Sequence, residues 1–270
     1  MIELAPRHKT GLVIKSPCLP MAGFFGYGQS PYPTLLEPGQ FGALVTGPIT
    51  LRPQPHQVPP QALEIGGGVI FNTPPRNLGV RKIISRYKRF WRRADIPIIA
   101  HLPADDPDDL TRTAGALAGL DLIAGLELGL PLGIKTHQLE GQIKAIQRRS
   151  ELPLLVKLPL TECHHLAPAA LEAGADGLVI AANPAAAGYT ADGDYLNGLY
   201  FGPGLIAGLI PHLVQLQQRH PEAVLIAGGG IHTVSDARAC LQAGATAIQL
   251  DTLIFTNPGQ TATLLSTFYD

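Results

Sequence analysis

The chain reads V-L-I-A-G-G-G-I-H-T-V-S-D-A-R-A-C-L-Q-A-G-A-T-A-I-Q-L-D-T over residues 224–252. An apolar run ends in three glycines, and a second apolar run occupies residues 247–250. Between the two runs, small apolar residues predict a helix with Thr233 or Ser235 as its N-cap and Gly244 after its end. Two buried parallel strands joined by one helix is the simplest structure that fits this pattern.

The glycine run at residues 228–230 predicts a ligand site at the end of the first of these strands. Glycines there let the backbone come close to a ligand, and the second strand ends in Asp251 and Thr252. In a (β/α)8 barrel the loops after strands 7 and 8 commonly hold a phosphate, so these strand ends predict a phosphate-type site. The alternative is that the three glycines only form a tight turn.

The composition predicts a large buried core, because 46% of the 270 residues are hydrophobic and only 15% are charged. The net charge of −1 gives no reason to expect nucleic acid or an anionic membrane surface as a partner. No apolar run reaches the length of a membrane span, and residues 1–10 lack the apolar core of a signal peptide. The cysteines, Cys18, Cys163 and Cys240, are odd in number and not spaced for a metal. We therefore expect free thiols, no metal and a cytoplasmic location.

Strand-like and helix-like segments alternate about eight times, which is the rhythm of a parallel sheet with helical crossovers. Eight units favour a closed (β/α)8 barrel, or TIM barrel, over an open sheet, and no G-x-G-x-x-G sequence opens the chain. We therefore predict an α/β fold with a single domain over residues 1–270. The predicted strands are 18–22, 42–46, 96–102, 122–128, 152–158, 177–182, 224–227 and 247–250, and the predicted helices are 80–93, 105–119, 135–150, 162–173, 204–219 and the one that ends before Gly244.

Two segments depart from this alternation. Residues 62–65 and 68–71 flank a Gly-Gly pair and predict a small β-hairpin inserted after strand 2. Residues 183–203 predict a long irregular loop before the next helix. This loop carries three tyrosines, Tyr189, Tyr195 and Tyr200. They either cover a ligand or pack the loop down.

Three polar side chains stand near the ends of predicted inner strands: His101, Glu127 and Lys157. Glu127 is either a general base, if an apolar setting raises its pKa, or a charge neutralised by Lys157 on the next strand. One role open to Lys157 is that of a Schiff-base lysine of the aldolase type. His101 lies on the face of the barrel that carries active sites, which makes it a candidate pocket residue.

Histidines also occur outside these strand ends. His164 and His165 follow Cys163 near the start of a helix. Adjacent helical residues project about 100° apart, so these two imidazoles do not converge on one metal as residues four apart would. We expect them on the surface at the helix N-terminus. His232 follows the glycine run and is either a phosphate contact or an exposed side chain.

Seven short motifs follow one another in a definite order. They are L-P-M-A-G-F-F-G near Pro20, G-A-L-V-T-G-P-I-T near Val45, N-T-P-P-R-N-L-G at Asn72, L-V-K-L-P at Lys157, G-A-D-G-L at Gly174, F-G-P at Gly202, and G-G-I followed by Q-L-D-T. In this order and spacing the chain resembles the dihydroorotate dehydrogenase family, from about residue 12 to about residue 257. The resemblance implies a (β/α)8 barrel that binds FMN, and an oxidoreductase acting on CH–CH bonds that converts dihydroorotate to orotate in pyrimidine biosynthesis.

The resemblance assigns roles to residues at the expected site. Lys157 is the catalytic lysine that contacts the flavin ring, where it stabilises negative charge on the reduced flavin, and Glu127 is the second catalytic candidate. Asn72 and Asn77 are the substrate-binding residues, since they stand in the loop that holds the amides and carboxylate of orotate. The implied cofactor-binding residues are Ala22 and Gly23 under the flavin, Lys157 at its ring, and Gly202, Gly229, Gly230 and Thr252 around its phosphate.

Six positions depart from the family pattern, and one is the asparagine usual after strand 6, which is replaced within residues 180–182, with Asn183 one or two places later. Gly47 and Ile206 stand where the family has lysines, and Glu127 stands where it has an asparagine. Leu130 stands where the family has its cysteine or serine base, and Asp251 stands where its last motif has a glycine. Leu130 cannot abstract the proton that dihydroorotate must lose. If the Asp251 carboxylate faced an FMN phosphate about 4 Å away, the repulsion would be about 4 kcal/mol. The side chain avoids this repulsion if it turns away while its backbone N–H donates.

The sequence therefore supports two functions from different classes. The first is an FMN-dependent oxidoreductase of the dihydroorotate dehydrogenase type that acts on a small-molecule substrate. The alternative is a non-catalytic barrel of the same family that serves as a ligand-binding, partner or scaffold protein. The sequence is compatible with a homodimer under both functions. We expect neither nucleic acid nor a membrane as a partner.

Overall fold

The computed structural model describes residues 1–54, 61–72 and 77–269. Eight parallel strands form one sheet, and this confirms the predicted (β/α)8 barrel. In chain order they are β1 (Cys18–Pro20), β2 (Leu44–Val45), β3 (Ile98–Pro103), β4 (Gly125–Gly129), β5 (Leu154–Pro159), β6 (Gly177–Ala181), β7 (Val224–Gly228) and β8 (Ala247–Leu250). Backbone hydrogen bonds join them in the order β1–β8–β7–β6–β5–β4–β3–β2, so β1 and β2 are the two end strands of the sheet.

The end strands meet through Gly42. Its N–H donates a 2.9 Å hydrogen bond to the Cys18 carbonyl, and this bond closes the barrel between β1 and β2. A Cβ atom on residue 42 would lie 1.9 Å from the Ser16 carbonyl oxygen, far inside van der Waals contact. Only glycine therefore permits this approach of the two chain segments.

The part of the chain that the structure describes contains eight α-helices. They are α1 (Val80–Trp91), α2 (Pro107–Ala118), α3 (Thr136–Gln147), α4 (Cys163–Glu172), α5 (Leu205–Arg219), α6 (Val234–Gln242), α7 (Leu253–Thr256) and α8 (Pro258–Thr267). The first six confirm the predicted helices to within a few residues at each end. Thr233 is the N-cap of α6, because its side chain accepts a hydrogen bond from Asp236 N while the Asp236 carboxylate accepts one from Thr233 N.

The barrel interior is apolar in the part where the strands begin. Its buried cluster includes inward-facing residues from seven of the strands: Leu19, Val45, Ile99, Leu155, Val179, Val224, Ile226 and Ala247. A short hairpin, Ile2–Glu3 with Val13–Ile14, closes the end where the strands begin, since its Leu4 and Leu12 belong to the same cluster. Burying each large side chain of this kind contributes about 1.5–3 kcal/mol.

A second, antiparallel sheet of four strands lies in the insertions after β2 and β6, and we call it the lid sheet. Its strands are ordered Ala185–Tyr189, Tyr195–Phe201, Gly68–Asn72 and Gln61–Ile65. The last two strands confirm the hairpin predicted after strand 2. Phe201 joins the lid sheet to the barrel, since its ring centroid lies 5.3 Å from that of Phe24 in the loop after β1.

The prediction of an irregular loop over residues 183–203 was wrong. The segment forms a hairpin whose second strand pairs with Gly68–Asn72, a partner more than a hundred residues earlier in the chain. Its first strand reads A-A-A-G-Y, so little in its local composition indicates a strand. Tyr200 fastens the two hairpins together, because its hydroxyl donates a 3.0 Å hydrogen bond to Gly67 O.

Three smaller expectations concern the chain as a whole. All three cysteines are buried and free, as predicted. Within the described ranges, no helix is both long and apolar enough to cross a membrane. Most of the proline-rich segment before the lid sheet, residues 55–60, and part of the motif at Asn72, residues 73–76, lie outside the described residues.

We expect Gly42→Ala to destabilise the fold strongly, because the new methyl group would collide with a backbone oxygen that cannot rotate away. The loss should reach about 3 kcal/mol or more, as for overpacked backbone sites, in the free energy of unfolding measured with urea. Gly39→Ala is the matched control, since a Cβ there meets no atom within 4 Å. Equal effects of the two substitutions would contradict the assigned role of Gly42.

Candidate functional site at the barrel mouth

Four polar side chains form a layer across the end of the barrel where the strands finish, which we call the mouth. They are His101 on β3, Glu127 on β4, Lys157 on β5 and Gln249 on β8. Each stands two residues after an inward-facing position, such as Ile99 before His101, and so points into the barrel by the two-residue period of a strand. This polar layer lies directly above the apolar interior.

Glu127 is the centre of the polar layer and is completely buried. Its Oε1 lies 2.8 Å from His101 Nδ1 and 4.0 Å from Lys157 Nζ, and its Oε2 accepts a hydrogen bond from Gln249 Nε2. Burial alone would raise the pKa of Glu127, but the Lys157 charge and the hydrogen bonds outweigh it and lower the pKa to about 2. Glu127 is therefore an ionised, fully satisfied carboxylate.

The Lys157 side chain interacts with polar groups of the same chain. Its Nζ donates a 3.1 Å hydrogen bond to Gln249 Oε1 and faces the Glu127 carboxylate. Burial lowers the pKa of Lys157, and the negative charges of Glu127 and Asp251 oppose that shift. The arrangement matches the ion-pair alternative for Glu127, and only a small part of the Lys157 side chain, 13%, is exposed at the mouth.

A second buried carboxylate, that of Asp251, lies beside the polar layer. Its Oδ2 accepts hydrogen bonds from Gly230 N and Asn183 Nδ2, both at 3.3 Å. Its Oδ1 accepts a hydrogen bond from Thr252 N at 2.6 Å and lies 3.8 Å from His232 Nε2. The Asp251 carboxylate thus occupies two of the backbone N–H groups that the sequence assigned to a phosphate.

The turn after β7 is built to bring these N–H groups together. Gly229 and Gly230 have φ angles of +93° and +76°, which side chains other than glycine rarely adopt. A Cβ on Gly230 would also lie 2.8 Å from Ile206 N at the start of α5. The glycines are therefore required both by the tight turn and by the close packing of α5, and the turn directs Gly230 N to the Asp251 carboxylate while Gly229 N donates to Gln249 O.

The residues of the mouth do not fit the phosphate of FMN. A phosphate in the predicted cradle would have to displace the Asp251 carboxylate from Gly230 N and Thr252 N, and would then lie beside a buried negative charge. The family's first lysine is also absent, and Tyr27 lies beside its position at Gly47. A Cβ on Gly47 would already contact the ring of Tyr27 at 3.4 Å, and the Tyr27 hydroxyl is held by Pro48 O.

The other expected cofactor residues lie around the same mouth. Ala22 and Gly23 follow β1, and no atom lies within 4 Å of a Cβ placed on Gly23, so space is open there. Gly202 belongs to the end of the lid sheet, where a Cβ would lie 2.5 Å from Gly67 O. Leu130, in the position of the expected base, is partly buried against the core.

The two predicted substrate residues are not brought into one contact. Asn72 pairs with Gln61 in the lid sheet. Asn77 is buried after β2, where its Oδ1 accepts a hydrogen bond from Gly79 N and lies 2.9 Å from Thr50 Oγ1. Its Nδ2 has no hydrogen-bond partner among the residues that the structure describes. An unpartnered buried donor is costly, so Asn77 offers a group that a ligand oxygen would satisfy.

Gln249 and Asn183 are the functional residues that sequence reasoning missed. Gln249 bridges Lys157 and Glu127, and its only sequence signal is a polar residue in the otherwise apolar run A-I-Q-L of β8. Asn183 was noted only as an asparagine displaced from its family position. Its Nδ2 reaches the Asp251 carboxylate and Tyr200 O, a role that its place in the sequence does not reveal.

Comparison with known proteins identifies close similarities over almost the whole chain. The profile of a family described as dihydroorotate dehydrogenase matches residues 7–266. The catalytic subunit of dihydroorotate dehydrogenase B (NAD(+)) from Desulforudis audaxviator is 31% identical, over 93% of this chain and 87% of that protein. The corresponding subunit from Pelobacter propionicus is 28% identical, over 92% and 86%. The structure of DHODH in complex with ferulenol from Eimeria tenella superimposes with a TM-score of 0.76 at 19% identity, over 93% of this chain and 79% of that one, which supports the fold.

We expect Glu127→Gln to lower stability near neutral pH by about 3 kcal/mol, because it leaves the Lys157 charge buried without its partner. The pKa of Glu127 is lowered from 4.5 to about 2 in the folded protein. Its ionisation therefore contributes about 3 kcal/mol of stability that is present above pH 4.5 and is lost as the pH falls towards 2. The difference between the two proteins in urea unfolding should shrink over that range.

The matched control is Glu151→Gln, which removes an exposed carboxylate paired with Lys9 on the surface. Surface ion pairs contribute little, so this variant should follow the pH dependence of the original protein. A Glu127→Gln variant that does the same would show that Glu127 is not ionised in the folded state.

Proposed function

Because the chain belongs to the dihydroorotate dehydrogenase family, we propose that it is a member whose barrel mouth binds a small molecule without using FMN. The observation that carries this proposal is the position of the Asp251 carboxylate on the N–H groups of Gly230 and Thr252. The chain then keeps the family's barrel and binding face but not the flavin-dependent oxidation of dihydroorotate.

Electrostatics support the loss of the flavin phosphate. Two unit charges about 4 Å apart repel by about 4 kcal/mol at a surface-like dielectric constant, which corresponds to roughly a thousandfold weaker binding. The repulsion would be larger here if anything, because Asp251 is completely buried and water screens it poorly. Gly47 and Ile206 stand where the family's lysines would supply compensating positive charge.

The proton-transfer half of the family reaction also lacks a suitable group. Leu130 has no titratable atom, and Glu127 is the nearest carboxylate in the sequence. Its pKa of about 2 makes it a weak base at neutral pH, and both of its oxygens are already engaged. The polar layer therefore favours a binding role over abstraction of a carbon-bound proton.

The ligand that we propose is a small cyclic amide acid of the dihydroorotate and orotate class. Asn77 supplies a buried amide donor that has no partner in residues 1–54, 61–72 and 77–269, and such a donor fits a carbonyl or carboxylate oxygen. Gly23, in the loop after β1, has open space above it. This ligand class rests on the family relation and on Asn77 together.

The second candidate is the family's own activity, FMN-dependent oxidation of dihydroorotate. The specific observation in its favour is Lys157, which stands at the mouth in the position of the family's flavin-contacting lysine. Relatives of this chain are named catalytic subunits, so a partner subunit is a further expectation under this alternative, as is a homodimer. Flavin binding separates the two candidates.

We expect the purified protein to be colourless and to bind FMN no more tightly than riboflavin, which lacks the phosphate. Asp251→Gly removes the carboxylate and frees the N–H groups of Gly230 and Thr252, so FMN affinity should rise about a hundredfold or more. Riboflavin affinity should not change. Flavin fluorescence quenching during titration measures both constants.

Asp251→Asn is the control for this experiment, because it removes the charge but keeps a side chain of the same size on the cradle. It should gain less FMN affinity than Asp251→Gly. An original protein that carries FMN after purification, or binds FMN far more tightly than riboflavin, would overturn the proposal and favour the oxidoreductase.

We expect orotate to raise the melting temperature of the protein through Asn77. Asn77→Asp keeps the shape and the acceptor Oδ1 but replaces the Nδ2 donor by an oxygen that repels a ligand oxygen. Loss of a hydrogen bond to a charged ligand costs about 1.5–3 kcal/mol, so orotate affinity should fall roughly tenfold to a hundredfold.

Asn197→Asp provides the matched control, because Asn197 is an exposed residue of the lid sheet and the substitution has the same chemistry. It should leave the orotate response unchanged. A protein whose melting temperature does not respond to orotate would refute the ligand class while leaving the flavin result to be judged separately.

A further inference from the structure

A cluster of three metal-ligating side chains lies in the helical layer, away from the polar layer of the mouth. Cys163 and His164 begin α4, and His212 extends from α5 towards them. One ligand atom from each residue lies within 4.8 Å of the other two. Cys163 is fully buried, whereas the two histidines are partly exposed, so the cluster borders on solvent.

The three side chains converge on one point. His212 Nδ1 lies 3.5 Å from Cys163 Sγ and 3.0 Å from His164 Nε2. The two imidazole rings are stacked, with centroids 4.9 Å apart and an interplanar angle of 21°. A single ring nitrogen of His212 is thus approached by both a thiol and another ring nitrogen, although it holds either one proton or one lone pair.

These distances are close to those of a tetrahedral zinc site. With zinc–nitrogen bonds of about 2.05 Å and zinc–sulfur bonds of about 2.3 Å, tetrahedral ligands place two nitrogens about 3.3 Å apart and nitrogen and sulfur about 3.6 Å apart. The observed separations of 3.0 Å and 3.5 Å differ from these values by a few tenths of an ångström. The third separation, from Cys163 Sγ to His164 Nε2, is at most 4.8 Å, so side-chain rotation has to shorten it by no more than about 1.2 Å.

From this convergence we propose that Cys163, His164 and His212 form a Zn²⁺ site that joins α4 to α5. One thiolate and two imidazoles are donors that zinc prefers, and a water molecule would complete the four ligands on the partly exposed side. Sequence spacing did not reveal the site, because His212 stands 48 residues after His164. His165, which is adjacent to His164 in the sequence, is not part of the cluster. Its Nε2 lies 3.2 Å from Thr136 Oγ1 on the surface.

Titration of the chelator-treated full-length protein with Co²⁺ and then Zn²⁺ tests the proposal. Co²⁺ bound at this site should give visible bands of a tetrahedral ion and a thiolate-to-cobalt charge-transfer band, with one ion per chain, and Zn²⁺ should displace it. Cys163→Ser is nearly isosteric and should abolish the charge-transfer band. Cys163→Ser and His212→Gln should each weaken Zn²⁺ binding by about tenfold or more.

His165→Gln is the matched control, since it removes a histidine next to the site on the same helix and should leave metal affinity unchanged. Zn²⁺ should also raise the melting temperature of the original protein and of this control, but much less that of Cys163→Ser. The proposal fails if Co²⁺ gives no charge-transfer band, or if His165→Gln weakens binding as much as His212→Gln. Circular dichroism of each variant establishes that the fold is intact.

Discussion

A carboxylate removed from water must find its hydrogen bonds and its counter-charge inside the protein, and this requirement organises the mouth of the barrel. Glu127 and Asp251 are both completely buried there. Glu127 is satisfied by His101, Gln249 and the nearby charge of Lys157. Asp251 is satisfied by backbone and side-chain donors of the neighbouring loops. Groups that the sequence resemblance assigned to a cofactor thus stabilise this chain's own buried charges.

Much of the barrel could be predicted because its signals are local. The apolar run of β7, the N-cap Thr233 and the apolar run of β8 each act within a few residues of chain, and the structure has the same order of elements. The lid sheet could be predicted only in part. Each of its two hairpins is local, but they join through residues 199–201, which pair with residues 69–71, and no periodicity within the segment indicates that partner.

The candidate site shows a sharper limit of sequence reasoning. The sequence identified Asp251 as a departure and gave two outcomes for its side chain, towards a phosphate or away from it. The structure has a third arrangement, in which the side chain bends onto Thr252 N and Gly230 N. That arrangement depends on the positions of the neighbouring loops to within a few tenths of an ångström. The same is true of Cys163 and His212, whose contact follows from the packing of two helices.

The substitutions at the mouth are physically coupled and do not act as separate losses. A phosphate cradle gathers donors that repel one another unless an anion binds them, so an empty cradle is destabilising. Asp251 supplies that anion covalently and needs no bound molecule. With the anion supplied, lysines at positions 47 and 206 would have no phosphate to bind, and Tyr27 lies beside Gly47. The remaining cation, Lys157, is balanced by Glu127. The buried charges of the mouth are therefore balanced by groups of this chain, which is the physical basis of the proposed binding role.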